Sequence, residues 1–269
     1  MLIVDSQIHL WVNPGAPAHH RQTPYLAEDA LRDMDEARVD RAVNCPAIWD
    51  AEANDYAVTA AAAHPGRLAT LGWFALGEPQ TPDFISRFLG RPGMLGLRFV
   101  IMRPEDVAAL ETGTLDWVWQ VANDLGLPVA LIVPKPVLPL LGPLAARFPR
   151  IRFLIDHLNI GPFERLPGAM DHLDTLLDLA LLPNIAVKAS AMPSMSDLAY
   201  PFEDVSPFLE RVFSAYGAER MFWGTDITRM AISMRDCVEM FTNHLPWLRG
   251  DDLDNVMGRA VCAWLDWPV

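Results

Sequence analysis

The segment LIVDSQIHLWVNPG, residues 2–15, separates the two folds that suit a chain of alternating strands and helices. It begins as an apolar strand, which we predict over Leu2–His9, and continues into a turn without a glycine-rich pattern. A doubly wound open sheet usually carries such a glycine-rich turn after its first strand. The first strand therefore favours the other arrangement of parallel strands, the closed (β/α)8 barrel.

The remainder of the chain repeats this alternation of short apolar strands and amphipathic helical segments. Eight strands with intervening helices in a chain of 269 residues match a (β/α)8 or TIM barrel. We therefore predict an α/β fold with one barrel domain over residues 1–269. Pro139 and Pro143 weaken the helix prediction after the fifth strand, because proline suits only the first turn of a helix. The predicted strands are Leu2–His9, Arg41–Cys45, Leu68–Phe74, Met94–Val100, Val129–Val133, Arg152–Asp156, Asn184–Lys188 and Met221–Thr225.

Composition narrows the class of protein. The chain has 34 acidic and 21 basic residues and a net charge of −13, which repels nucleic acids and anionic membranes, so we expect neither as a partner. Cys45, Cys237 and Cys262 fit no zinc-binding spacing, and we predict reduced thiols in a cytoplasmic protein. We find no signal-peptide pattern and no uncharged run of about 18 residues that would span a membrane.

The polar residues at the ends of the predicted strands define a candidate site, because the active site of a (β/α)8 barrel lies at the carboxyl ends of its strands. Gln7 and His9 are two residues apart on a strand, so they face the same side. Asp156 and His157 are neighbours, so alternation allows only one of them to face the barrel mouth. The residues at these strand ends are Gln7, His9, Asn44, Arg98, His157, Lys188, Ser190 and Asp226.

Several segments, in order along nearly the whole chain, resemble the amidohydrolase-related family, the amidohydrolase 2 group of the amidohydrolase superfamily. They are VDSQIHLW, DRAV, HPGRL, LGLRFV, IDHLNIG, IAVKAS and FWGTD. The resemblance implies a (β/α)8 barrel and a hydrolase-type enzyme. Members of this kind include metal-dependent decarboxylases and lactonases, and the pattern is most similar to the lactonase branch, such as the 2-pyrone-4,6-dicarboxylate lactonases.

The resemblance also implies where a metal would bind. Metal-using members take ligands from His-x-His on strand 1, histidines on strands 5 and often 6, and an aspartate on strand 8. Here Gln7 stands in the first histidine position, the fifth strand LPVALIVP has no histidine, and Arg98 beside the site would repel a dication. We therefore expect no cofactor. The alternative is one divalent metal such as zinc on His9, His157 and Asp226, since three protein ligands suffice for catalytic zinc.

The lactonase branch implies a role for each catalytic candidate. Asp226 would act as general base toward water, and His157 would stabilise the oxyanion, with His9 completing the set. From the residues alone, the alternative for Asp226 is a cap for a helix that begins at Ile227. The alternative for His9 is a buried, hydrogen-bonded histidine of the barrel floor.

The predicted substrate-binding residues are polar groups near the same strand ends. A mid-strand arginine such as Arg98 needs an anionic partner, either an acid of the chain or a substrate carboxylate held bidentately. Lys188 has the same alternatives, and Arg103 or Arg229 could each be a solvated surface charge. His19 and His20 lie in the proline-rich loop of residues 12–25, and we expect them to face solvent. The substrate-binding set is Gln7, Arg98, Lys188, Ser190 and Arg103.

Three functions remain open from the sequence. The first is a metal-independent hydrolase that opens a lactone or related cyclic ester of a small, carboxylated, anionic substrate. The second is a metal-dependent decarboxylase or amidohydrolase of small aromatic or carboxylic acids. The third is a catalytically degenerate binding protein, against which the retention of Asp226 and His157 argues. A homo-oligomer is compatible with each of them.

Overall fold

The computed structural model describes residues 1–16, 18–76 and 80–268. In them, eight parallel strands form one sheet whose spatial order follows the order along the chain, with helices between the strands. The predicted (β/α)8 barrel is confirmed, and each strand lies within two residues of its predicted bounds. The strands are β1 Val4–Ile8, β2 Arg41–Asn44, β3 Leu68–Gly72, β4 Met94–Val100, β5 Pro128–Ile132, β6 Arg152–Ile155, β7 Ile185–Ser190 and β8 Met221–Gly224.

The helices differ from the sequence pattern mainly where they are short. The pattern does not predict α3 or α4, each of 8 residues, because so short a segment shows little periodicity. Pro139 lies in a 3-10 segment, Lys135–Leu140, and Pro143 lies in the first turn of the helix that follows, where proline is accommodated. The helices are α1 Ala27–Ala37, α2 Ala53–Ala63, α3 Pro82–Leu89, α4 Pro104–Glu111, α5 Asp116–Leu125, α6 Leu141–Arg147, α7 Leu173–Asp178, α8 Ser206–Tyr216, α9 Met234–His244, α10 Gly250–Asp254 and α11 Ala260–Trp264.

The barrel is drawn together where β8 returns to β1. The amide of Asp226 donates to the Gln7 carbonyl at 2.7 Å. The buried Asp5 carboxylate accepts from the Thr225 amide at 2.8 Å and also from the Thr225 hydroxyl. Gly224 allows this approach, because a Cβ atom there would lie 2.6 Å from Ser6 Oγ. These contacts form the seam between β8 and β1, and they fix the end of β8, and with it Asp226, against β1.

A bulge in β1 determines which of its side chains face the barrel interior. Three residue steps from Asp5 to Ile8 pair with two steps from Ala42 to Asn44 of β2. Val4 belongs to the interior apolar cluster, and Gln7, three residues later, also contacts an interior side chain of β7. Strict alternation would place these two residues on opposite faces. The bulge therefore turns Gln7 toward the centre of the barrel.

Apolar packing fills the amino-terminal half of the interior and leaves the other end for polar groups. Val43, Leu71, Leu154 and Phe222 form one buried cluster with residues of the closing helix α11. A larger apolar layer lies between the strands and the outer helices. The three cysteines are buried free thiols, as predicted. Within the described residues, the helices are all too short or too polar to cross a membrane.

Candidate active site

Three predicted catalytic side chains converge at the carboxyl end of the barrel. His9 Nε2 lies 3.4 Å from Asp226 Oδ1, and His157 Nε2 lies 3.7 Å from Asp226 Oδ2. The two histidine side chains are 6% exposed, and that of Asp226 is 1% exposed. The structure therefore brings the residues from β1, β6 and β8 into one cluster at the end that the fold predicts.

The backbone of Asp226 is fixed by its contact with Gln7, and one oxygen of its carboxylate remains available to bind a ligand. The residue has φ 52° and ψ 44°, in the left-handed region that non-glycine residues rarely adopt. Its Oδ1 atom is buried and has no hydrogen-bond partner among the described residues. A buried carboxylate oxygen without a donor is costly. Such strain and unmet hydrogen bonding are typical of a functional position.

His157 reaches the cluster through an unusual turn. His157, Leu158 and Asn159 all have positive φ, from 52° to 61°. The Asn159 side chain accepts from the Val133 amide at 3.1 Å, which ties this turn to the end of β5. His157 Nδ1 lies 2.8 Å from the Ser190 hydroxyl, so Ser190 orients the ring. Because the backbone leaves the extended region at His157, strand alternation no longer governs the direction of this side chain.

The same turn overturns one inference from alternation. Asp156 points into the barrel beside its neighbour His157, although alternation allows only one of the two to do so. Its Oδ2 accepts from Arg98 Nε at 2.7 Å, and its Oδ1 lies 3.0 Å from Lys188 Nζ. The Asp156 and Lys188 side chains are 0% exposed. Arg98, Asp156 and Lys188 thus form a buried layer beneath the cluster, in which one carboxylate lies between two cations.

Gln7 belongs to this buried layer rather than to the cavity surface. Its Oε1 accepts from Lys188 Nζ at 2.8 Å and from the Cys45 thiol at 3.1 Å. Its amide nitrogen lies 3.4 Å from His9 Nε2. Gln7, Lys188 and Ser190, three predicted substrate-binding residues, are fully buried, and the contacts found for them are with other side chains of the protein. These contacts position His9, His157 and Asp156.

The tautomer of His9 follows from its partners. Nδ1 contacts the Cys45 carbonyl, which can only accept, so Nδ1 carries the proton. In the neutral ring, Nε2 then has a lone pair, which accepts from the Gln7 amide nitrogen at 3.4 Å and lies 3.4 Å from Asp226 Oδ1. Two acceptors at this separation suit a group that brings positive charge between them, and a divalent cation meets that requirement. Asp226 Oδ1, which has no partner among the described residues, can also accept a hydrogen bond from water.

Two residues outside the predicted site set also belong to the cluster. His19, predicted to face solvent, lines the cavity: its Nδ1 lies 2.8 Å from Thr228 Oγ1, and its ring centroid is 5.4 Å from that of His9. Arg229 is 7% exposed at its side chain, and its Nη1 lies 3.4 Å from Asp226 Oδ2. The sequence does not distinguish Arg229 from a solvated charge, although its position three residues after Asp226 suits the turn found there. No sequence signal identifies His19.

Arg103, a predicted substrate-binding residue, does not join the cluster. Its guanidinium bonds the buried Asp106 carboxylate through Nε and Nη2, at 2.7 and 2.9 Å. Its side chain is 57% exposed and precedes α4. It lines an adjoining cavity that it shares with Arg98. The Arg103 guanidinium is thus paired with an acid of the chain, and its role in substrate binding stays a prediction.

The cluster forms the floor of a cavity of about 330 Å³ at the barrel mouth, hereafter the site cavity. This volume lies at the small end of the range for small-molecule pockets, about 300–1,000 Å³. Its polar groups gather at the floor, and its upper walls are apolar. Its lining residues are His9, Ala18, His19, Ile48, Trp49, Arg98, Val100, Met102, Ile132, His157, Ile160, Pro162, Asp226 and Arg229.

The charges in the cluster follow from burial. Burial lowers the pKa of His9 to about 3 and that of His157 to about 4, although the Asp226 charge acts in the opposite direction. Burial also disfavours ionised Asp226, but the charges of the protonated histidines and Arg229 outweigh it and hold the Asp226 pKa below its usual range. At neutral pH the cluster therefore contains a carboxylate and two neutral imidazoles.

These pKa shifts predict the pH dependence of any activity that needs an ionised Asp226 and neutral histidines. Since the histidine pKa values are lowered, the neutral rings persist as the pH falls and become protonated only near pH 4 and below. We expect kcat/KM for the substrate to stay level between about pH 5 and 8 and to fall below about pH 4. A steady-state pH profile measures this, and an inflection at the ordinary histidine pKa of about 6.5 would contradict it.

The cluster fits a divalent cation in number and in chemistry. One ligand atom from each of His9, His157 and Asp226 lies within 4.8 Å of the others. Imidazole nitrogen and carboxylate oxygen are zinc ligands, and three of them leave a position open for a reactant. The contact of His9 Nδ1 with the Cys45 carbonyl is also typical of a metal-bound histidine. Gln7 is not a further ligand, because Lys188 and Cys45 occupy its oxygen.

Residues 4–268 match the model of the amidohydrolase family, and the chain belongs to that family of hydrolytic enzymes. It is similar to an L-fucono-1,5-lactonase of Burkholderia ambifaria, with 28% identity over 167 residues. The aligned part is 61% of this chain, and the chain spans 57% of that relative's length. The resemblance to the amidohydrolase 2 group is thereby confirmed.

Solved structures show the same fold. A zinc-bound amidohydrolase from Burkholderia multivorans has a TM-score of 0.85 at 18% identity, with 100% of both chains covered. A probable 2-pyrone-4,6-dicarboxylic acid hydrolase from Acinetobacter baumannii, bound to citric acid, has a TM-score of 0.80 at 16% identity, with 99% of this chain and 100% of that chain covered. A 5-carboxyvanillate decarboxylase from Sphingomonas paucimobilis has a TM-score of 0.73 at 16% identity, with 98% of this chain and 99% of that chain covered.

Proposed function

We propose that the protein hydrolyses the ester bond of a small lactone, with Asp226 as general base and without a resident metal. The observation that carries the proposal is the buried Asp226 carboxylate, with an unpartnered oxygen, between two histidines and an arginine at the floor of the site cavity. The similarity to a lactonase over part of the chain supports the choice of reaction.

In the proposed reaction, water donates a hydrogen bond to Asp226 Oδ1, the buried oxygen that has no partner among the described residues. Asp226 removes one proton as the water oxygen attacks the lactone carbonyl carbon. The tetrahedral intermediate then collapses, and the bond between the carbonyl carbon and the ring oxygen breaks. The proton held by Asp226 passes to that ring oxygen, which gives the open hydroxy acid and restores the carboxylate.

The negative charge that develops on the carbonyl oxygen needs donors nearby. His157 serves if Ser190 donates to its Nδ1, because the ring proton then stands on Nε2, on the side of Asp226, and His157 lines the site cavity. Arg98 and Arg229 line the same cavity and add positive charge. Each such donor typically lowers the barrier by about 3–4 kcal/mol. The arginines also suit a substrate that carries a carboxylate.

The second candidate is a metal-dependent hydrolase or decarboxylase, which the three-residue ligand set favours. His9, His157 and Asp226 would hold the ion, which would supply Lewis acidity and a bound water of lowered pKa. Ser190 would then accept the His157 Nδ1 proton, so that Nε2 is free to bind metal. Positive charge works against this candidate, because Arg98 and Arg229 line the same cavity and repel a cation.

Metal content and chelation separate the two candidates. In protein purified without chelator, we expect far less than one zinc or manganese per chain and a lactonase rate unchanged by EDTA, because Asp226 supplies the base. Elemental analysis and the rate before and after EDTA measure this. Stoichiometric zinc, lost together with activity on chelation and restored by added zinc, would support the metal-dependent candidate instead.

The proposed activity is tested directly by screening lactones and aromatic acids for acid release and for decarboxylation. We expect the protein to open at least one class of lactone. The pH should then fall in the presence of the native protein and stay constant with heat-denatured protein. Decarboxylation without lactone opening would overturn the proposal. Binding of these compounds without turnover of any of them would point to the degenerate binding protein.

A further inference from the structure

A second cavity adjoins the site cavity and shares four lining residues with it. This side cavity has a volume of about 300 Å³. Both cavities are lined by the same residues of the mouth, Ile48, Arg98, Val100 and Met102. A cavity of about 150 Å³ is large enough for benzene, so each lobe has room for one ring with substituents. The proposed mechanism uses only the site cavity.

The side cavity is built for an apolar group. Its walls include Phe74 and Phe99, whose rings pack edge to face at 5.2 Å, together with Trp73 and Leu76. Phe74 and Phe99 are largely buried and fixed by further aromatic contacts. Rigid aromatic walls of this kind bind apolar surface without a large cost in side-chain entropy.

Arg98 stands at the junction of the two cavities with part of its guanidinium available. Among the described residues its hydrogen-bond partner is Asp156, which it contacts through Nε. Its two Nη groups are thus left for an anionic or carbonyl oxygen of a ligand. The other cation that lines the side cavity, Arg103, is already neutralised, because its guanidinium donates two hydrogen bonds to the Asp106 carboxylate. The junction of the two cavities is therefore polar, and the side cavity beyond it is apolar.

We infer that the natural substrate is a lactone with an aryl or medium-length alkyl arm, with its ring in the site cavity, an oxygen at Arg98 and the arm in the side cavity. This assignment of the substrate class rests on the proposed function. A sugar lactone is a poorer match, because its hydroxyl groups would lose hydrogen bonds to water against Phe74, Leu76 and Phe99.

A series of δ-lactones tests the inference. The carbon next to the ring oxygen carries hydrogen, methyl, propyl, pentyl or phenylethyl, and a sugar δ-lactone completes the set. We expect kcat/KM to rise about fourfold for each methylene that enters the side cavity, and to level off when it is full. A flat series, or a preference for the sugar lactone, would overturn the inference.

A blocking variant locates the effect. Ala75 lines the side cavity and is half-buried, so Ala75→Phe should fill the lobe without disturbing the Asp226 cluster. We expect it to remove the advantage of the pentyl lactone and to leave the rate for the unsubstituted lactone within about twofold. Ala63→Phe, at the exposed end of α2, makes the same change outside the site and should alter neither. Ala75→Leu and melting temperatures check that the fold is retained.

A binding measurement separates failure of the inference from failure of the proposed function. Calorimetry compares 4-phenylbutyrate with butyrate on the wild-type protein and on Ala75→Phe. If no lactone is opened, but phenylbutyrate binds at least tenfold more tightly than butyrate and Ala75→Phe removes that difference, the lactonase proposal fails and the apolar subsite stands. If lactones are opened while arm length and Ala75→Phe have no effect, the subsite fails and the lactonase proposal stands.

Discussion

The Asp226→Asn substitution is expected to lower kcat for the lactone substrate by about 10²–10⁴-fold, the usual contribution of a positioned general base. The amide keeps the size of the side chain but cannot remove a proton from water. The backbone contact of residue 226 with Gln7 is unchanged by the substitution, so the seam between β8 and β1 should persist. Steady-state kinetics on the best lactone from the screen, with a melting curve for each protein, measure the effect.

Two further measurements make the Asp226 result specific. Affinity for the hydroxy-acid product should stay within a few fold, because the variant removes the proton acceptor and keeps the cavity. Asp124→Asn makes the same chemical change at an exposed position of α5, where the side chain contacts only Gln120 among the described residues, and should leave kcat unchanged. If Asp226→Asn retains more than a tenth of the wild-type rate, a barrier change below about 1.4 kcal/mol, Asp226 is not the base.

The Asp156→Ala substitution is expected to have the largest effect on stability. Asp156 lies between Arg98 and Lys188, and its removal leaves two cations buried without their counter-ion. Breaking a buried ion pair by removing one partner typically costs about 3–5 kcal/mol. Urea unfolding should show a lower midpoint with an unchanged slope. The His9–Gln7 contact should also loosen, because Lys188 would no longer be held between Gln7 and Asp156.

An exposed ion pair provides the control for this effect. Asp174 lies 2.7 Å from Arg211, and its side chain is 92% exposed. Asp174→Ala should change the free energy of unfolding by no more than about 1 kcal/mol. A similar small change for Asp156→Ala would show that the buried layer does not depend on its carboxylate.

The pH dependence of the Asp156 effect follows from its lowered pKa. Burial disfavours the charge of Asp156, but Lys188 and Arg98 outweigh it and hold the pKa below the ordinary 3.8. A carboxylate with a lowered folded-state pKa stabilises the fold above its unfolded pKa and loses that contribution as the pH falls through the folded value. The difference between wild type and Asp156→Ala should therefore be full above about pH 5 and should narrow in acid.

The fold could be predicted from local sequence because its determinants are local. The strands are apolar runs bounded by Pro, Gly or polar residues, and their order along the chain is their order in the barrel. The rule that active sites occupy the carboxyl ends of barrel strands gave eight candidate residues, and the family resemblance singled out His9, His157 and Asp226 among them. The structure brings these three side chains together at one end of the barrel.

Other features depend on backbone geometry that alternation does not describe. Asp156 and His157 both point inward, because the chain turns into the left-handed region at His157. Gln7 faces the interior because β1 has a bulge opposite β2. At Asp156 alternation predicts the wrong direction, whereas at Gln7 it gives the side shared with His9 but not the bulge that turns this side inward.

By itself, the sequence determined the barrel, its family and the strand-end residues from which the family resemblance drew the catalytic candidates, because each rests on residues close together along the chain or on the position of a strand end. Only the tertiary structure decided the rest of the site. It placed His19 against His9, buried Lys188 between Gln7 and Asp156, and opened the side cavity beside Arg98. These relations join residues distant in sequence, and burial and contact between them exist only once the barrel has closed.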